Sequence, residues 1–147
     1  MQVIVENDQH DLPIGVGSVE PLVRLVLEME ACRRDEVGIH FVTVEAISAL
    51  HQEYFDDPTP TDCISFPADS PAPYRPLGDV FVCPQIALDY AREHQTDPYE
   101  EVTLYVVHGL LHLLGYGDQT EEEQTVMRQK EAEAMELLKK KKSLLQS

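Results

Sequence analysis

The stretch from Pro98 to Leu114, PYEEVTLYVVHGLLHLL, constrains this chain more than any other. Val102, Leu104, Val106, Val107, Leu110, Leu111 and Leu113 make it apolar nearly all round, and a helix of that kind belongs in a protein interior. Thr96 or Asp97 followed by Pro98 and Glu100 supplies a helix start, and Gly115 supplies the stop. A buried central helix follows, with the other elements packed around it. His108 and His112 interrupt its apolar surface four residues apart. That spacing puts both imidazoles on one face, about one turn apart, where they can share either a hydrogen-bonding partner or a metal ion.

Around this helix the chain alternates strand and helix signals. Residues 2 to 5 (QVIV) read as a strand, and Ser18 caps an amphipathic helix from Val19 to about Arg34. Gly38 opens a strand over residues 39 to 44, which leads into a helix from Val44 to Phe55. Residues 63 to 66 (CISF) and 78 to 83 (GDVFVC) read as neighbouring strands across a Pro-rich loop at 67 to 76, with Gly78 and Asp79 as a turn. Helices follow over 85 to 94, over 98 to 114, and from Glu121 to about Leu138, the last with acids first and lysines last, as the helix dipole favours. The expected fold class is α+β: a small, mostly mixed sheet of about four strands against about five helices, the central one carrying the histidines. Residues 1–138 are expected to form one domain and residues 139–147 a frayed tail.

Composition narrows the function. The 147 residues are 43% hydrophobic, enough for one sizeable core. Cys32, Cys63 and Cys83 are odd in number and widely spaced, which fits neither a disulfide framework nor a thiolate zinc site and points to a reducing cytoplasm. The N-terminal MQVIVENDQHDLPIG has acids where a secretory signal needs basic residues. The apolar run Leu104 to Tyr116 falls short of the roughly 20 residues that span a bilayer, so no membrane partner is expected. A formal net charge of -16 excludes general polyanion binding, so any nucleic acid must meet a local groove. Arg24, Arg33, Arg34, Arg75, Arg92, Arg128 and the C-terminal lysines are the cations available for it.

The third ligand is read from HGLLHLLGYGD, residues 108 to 118. Gly115 lets the backbone leave the helix sharply, and six residues after His112 the chain can bring Asp118 back to the imidazoles. Two imidazoles and a carboxylate with an open fourth position form the donor set in which zinc lowers the pKa of water to about 7. One Zn2+ per chain is expected. The spacing is shared with the H-E-x-x-H metalloproteases, but Gly109 stands where their catalytic glutamate would be, which removes proteolysis through that base.

HGLLHLLGYGD resembles the H-G-x-L-H-L-x-G-Y-D-H signature of the YbeY family of bacterial ribosomal-RNA maturation endoribonucleases. PTDCISFP, residues 60 to 67, resembles the family's P-T-D-V-L-S-F-P, and LGDVFVC, residues 77 to 83, its L-G-D-I-x-I-x, so the likeness spans roughly residues 40 to 135. It implies a compact α+β fold, a zinc held by the motif, cleavage of single-stranded ribosomal RNA, and a role in small-subunit RNA processing and ribosome quality control. The implied partners are that RNA and the small ribosomal subunit or its assembly proteins.

Two departures bear on activity. The family's third ligand is usually histidine, and Asp118 in its place makes the site more anionic. The metal should stay and reactivity should fall. Where the family usually carries an arginine after a tyrosine, Phe55 follows Tyr54. Arg75 is the nearest substitute in sequence and is carried as a catalytic candidate with His108, His112 and Asp118. For PTDCISFP, a packed strand and a substrate wall are equal readings. Met127 is read as helix packing, Glu131 as helix surface, and His10, His40, His51 and His94 as structural or solvated. With no side-chain base in the motif, cleavage by the isolated protein is expected to be slow. The alternative is a zinc-binding ribosome-assembly factor that no longer cleaves.

Overall fold

A computed structural model of the chain describes residues 1–70 and 73–147. Four strands run as β1 (Gln2–Asn7), β2 (Glu36–Phe41), β3 (Cys63–Pro67) and β4 (Pro76–Val82), and five α-helices as α1 (Val19–Met29), α2 (Val44–Phe55), α3 (Pro84–His94), α4 (Pro98–Leu113) and α5 (Glu121–Lys140). The sheet order is β1-β2-β4-β3, with β1, β2 and β4 parallel and β3 antiparallel to β4. This is the mixed sheet and α+β class expected, with α4 as the central helix. Val102, Val106, Val107, Leu110 and Leu111 on α4 are fully buried among Val37, Ile39, Val80 and Val82 of the sheet and Leu22, Val23 and Val26 of α1.

Several boundaries differ from the sequence reading. α1 stops at Met29 because Ala31 takes a left-handed φ of 51°, with Cys32 N–H donating to Leu27 O at 2.9 Å and Ala31 N–H to Glu28 O at 3.0 Å. This paired closure is normally made by glycine. An alanine there costs roughly 1–2 kcal/mol and carries no glycine signal. The effect is to lift Arg33 and Arg34 off the helix. Gly38 lies inside β2, under the His40–Asp79 pair that spans β2 and β4 at 2.8 Å. The strand ends at Phe41, and Thr43 caps α2 by accepting from Ala46 N–H at 3.2 Å. Gly78 and Asp79 are likewise within β4 instead of in a turn. The Pro-rich connection at 67 to 76 includes residues 71 and 72, which lie outside the described residues.

The C-terminal residues are packed, not frayed. Lys142, at φ 54°, turns the chain back after α5, and Leu145 is 2% exposed. Leu145 N–H donates to Thr103 Oγ1 on α4 at 3.0 Å, and Gly15 N–H donates to Gln146 O at 2.7 Å. The apolar Leu144–Leu145 pair drives this return, against which the lysine run before it weighed in the sequence reading.

Candidate metal centre

The end of α4 builds the site. Gly115, at φ 103°, donates its N–H to His112 O at 3.0 Å, and Tyr116 N–H donates to Leu111 O at 3.1 Å. This double closure reverses the chain and aims the Tyr116 carbonyl back at the helix, where it accepts from His112 Nδ1–H at 2.9 Å. Thr120 and Glu123 then form a capping box that starts α5 and fixes the intervening segment. Asp118, in that segment, places Oδ2 at 3.2 Å from His112 Nε2 and 3.7 Å from His108 Nε2. The two Nε2 atoms are 2.9 Å apart.

The outer hydrogen bonds assign the imidazoles. His108 Nδ1 faces Glu131 Oε2 at 2.7 Å and His112 Nδ1 faces a backbone carbonyl, both pure acceptors. Each Nδ1 therefore carries the proton, and both Nε2 lone pairs point at each other and at the Asp118 carboxylate. Three electron-pair donors converging at these distances repel unless a cation lies among them. His108, His112 and Asp118 thus form a group that could hold one metal ion, and the donor set fits zinc.

Glu131 is the site residue that the sequence reading placed on the helix surface. It is 5% exposed, on the face of α5 that also buries Met127, Ala134 and Leu138. A carboxylate at those spacings on an apolar stripe was the available signal. Its second oxygen accepts from Arg128 Nη1 at 2.7 Å. Burial pushes the Glu131 carboxyl up, and the hydrogen bonds from His108 and Arg128 outweigh that and hold it below its ordinary value. Orientation of a ligating histidine by a carboxylate is the usual outer support of such sites.

Two cavities, of about 480 and 490 Å3, flank the histidines and share Cys63 and Asp118. One is lined by His51, Phe55, Thr61, Ser65, Pro67 and His112. The PTDCISFP segment therefore forms a wall of this cavity, and within it Ser65 Oγ–H also donates to Gly109 O at 2.9 Å. A Cβ on Gly109 would run into Val80 and come within 2.8 Å of Cys63 Sγ. The strand packed on α4 thus leaves no room for the glutamate that metalloproteases carry. The other cavity is lined by Asp62, Glu101, His108, Arg128 and Glu131. Burial, then the charge of Asp62, raises the Glu101 carboxyl above its ordinary value. Burial pushes the Cys63 thiol up as well, so it stays protonated and offers no thiolate.

Phe55 stands 55% exposed on the cleft wall, 5.6 Å ring to ring from His51. Arg75 is not brought there. Its backbone is tied to Asp35, with N–H to Oδ2 at 2.6 Å and its carbonyl accepting from Asp35 N–H at 2.9 Å, and it lines a separate cavity. Among the described residues no arginine or lysine lines the cavity with Phe55, and the other cavity has Arg128, which the sequence placed only in a pool of possible groove residues.

Fold and site together define an α+β protein whose buried helix presents a His-x3-His pair and a returning aspartate to one metal-sized gap. The family model described as Endoribonuclease YbeY matches residues 4–139. The chain belongs to the YbeY endoribonuclease family. It is 50% identical over 136 residues to Endoribonuclease YbeY of Protochlamydia amoebophila, covering 91% of each chain. It is 43% identical to that of Chlamydia abortus, covering 99% of this chain and 96% of the relative. A Thermotoga maritima protein with a solution structure superposes with a TM-score of 0.63 at 26% identity, covering 91% of this chain and 87% of that one. No described helix is long and apolar enough to cross a membrane.

Proposed function

We propose that the protein is a metal-dependent endoribonuclease acting on single-stranded ribosomal RNA in small-subunit maturation and ribosome quality control, with one zinc ion held by His108, His112 and Asp118. The observation that carries the proposal is the convergence of both Nε2 atoms and Asp118 Oδ2 beneath an open cleft, in a chain whose curated relatives bear the endoribonuclease name. The small ribosomal subunit or its assembly proteins complete the proposed setting, in the cytoplasm.

When bound, zinc supplies Lewis-acid polarisation of a phosphoryl oxygen and acidifies water. The chain's own residues do the positioning. Glu131 and the Tyr116 carbonyl lock the imidazole tautomers, and α4 holds the imidazoles rigidly because it is buried on the sheet. Thr61, Ser65 and Pro67 form the wall along which a single strand can lie. The exposed faces of Phe55 and His51 suit base stacking, which is tolerant of sequence. Cys63 and Gly109 offer no base, and the carboxylates Asp62 and Glu101 repel phosphate on the other side. Slow turnover follows.

The non-catalytic assembly-factor reading is favoured by one observation, the hydrophobic Phe55 facing the cleft where the family usually has a cation. Phe55→Arg separates the two readings. For an endoribonuclease short of one phosphate contact, the substitution is expected to raise the cleavage rate of a single-stranded RNA by about tenfold, or ~1.4 kcal/mol of transition-state stabilisation. A substitution that leaves RNA intact in both proteins, while both cofractionate with small subunits, would favour the assembly factor.

A further inference from the structure

Four of the chain's six arginines, Arg24, Arg33, Arg34 and Arg75, line one cavity of about 310 Å3 at the start of β2 and β4, away from the histidine cluster. Glu28 and Asp35 are the acids beside them. With Glu20 paired to Arg24, four guanidiniums meet three carboxylates, a formal +1 on a chain whose total is -16. Arg24 is committed to Glu20 at 2.5 Å and to the Met1 carbonyl at 2.7 Å. Among the described residues, the guanidiniums of Arg33, Arg34 and Arg75 pair with no carboxylate. The left-handed turn at Ala31 is what delivers Arg33 and Arg34 to this place, since a helix continued to Arg34 would have carried them elsewhere. Cys32 senses the cluster: burial raises its thiol, and the positive charges of Arg34 and Arg75 pull it the other way.

We propose that Arg33, Arg34 and Arg75 form a second phosphate site that takes the backbone of the RNA strand beyond the cleft. The inference rests on the endoribonuclease reading and adds where the rest of the substrate is held. The two regions are joined through the loop after α4: the Tyr116 carbonyl holds His112, and the Tyr116 hydroxyl donates to Glu30 at the end of α1. Arg33 follows Glu30 by three residues, at most roughly 11 Å of extended chain. Tyr116 and Glu30, with Lys130 over the Tyr116 ring, thus connect the loop beside the histidines to the segment that carries Arg33 and Arg34, and set the path of a strand that leaves the histidines on that side. The donors are exposed side chains and not converging backbone N–H groups, which suits a polymer backbone better than a small free anion. It also resolves how a strongly acidic chain with an acidic cleft wall can hold RNA.

The test uses metal-loaded full-length protein, 2′-O-methyl single strands of about 4 and about 16 nucleotides, and the double variant Arg33→Ala/Arg34→Ala, whose two side chains carry no structural hydrogen bond. The long strand is expected to bind the variant at least about tenfold more weakly, with the slope of log affinity against log salt reduced by about 1.4, or about 0.7 for each lost phosphate contact. The short strand should bind both proteins alike, and the melting temperature should be unchanged. Equal long-strand affinity and slope in both proteins would overturn the second site while leaving the cleft reading intact. A wild type that binds neither strand would remove the RNA reading itself, and the proposal with it. Stabilisation of wild type but not the variant by inorganic phosphate, with equal RNA binding, would assign the cavity to a free anion and overturn the RNA assignment.

Discussion

His112→Ala is expected to bring RNA cleavage down to that of a protein-free control. His112 Nε2 is the atom closest to both other donors, 2.9 Å from His108 and 3.2 Å from Asp118, so its removal leaves one imidazole and one carboxylate. Two donors do not hold zinc in a catalytic geometry. The fold should survive, because the side chain is only partly buried and its Nδ1–H bond to the Tyr116 carbonyl duplicates a closure already made by Gly115 and Tyr116 N–H groups. Gel analysis of a single-stranded RNA, with circular dichroism to show retained helix, is the check. Cleavage that persists in metal-free His112→Ala protein would rule out the mechanism.

Glu131→Ala carries the second large effect, although Glu131 touches no metal donor atom on the cleft side. It leaves the partly buried His108 Nδ1–H without its acceptor, which costs about 1 kcal/mol, and frees the ring to rotate and change tautomer. Zinc affinity, measured by chelator competition, should fall about 10- to 100-fold. Glu131→Gln keeps an acceptor for His108 but loses the charge and the ion pair to Arg128, so it should lie between wild type and alanine. An alanine variant that holds zinc as tightly as wild type would show that the 2.7 Å contact is packing without function.

Features encoded locally were readable from the sequence. The all-round apolar character of Pro98–Leu113 placed α4 in the interior, and Gly115 marked the reversal that brings Asp118 back, because both depend on residues within one or two turns. The place of Glu131 on an apolar stripe was readable, but its pairing with His108 was not, since that depends on α5 docking against α4. The end of α1 was misplaced because its left-handed position is an alanine, and the destination of Arg33 and Arg34 changed with it. Arg75 sits between the two strand segments in sequence, but strand pairing sends it to the start of β2 and β4 instead of the cleft.

The central claim is that His108, His112 and Asp118 hold one metal ion. Elemental analysis of wild type and Asp118→Ala, purified identically without a metal-binding tag, tests it most directly. The expected result is about one zinc per chain in wild type and markedly less in the variant. No metal in either protein, or equal metal in both, would contradict it: the first would make the histidine pair a structural contact, and the second would remove Asp118 from the ligand set.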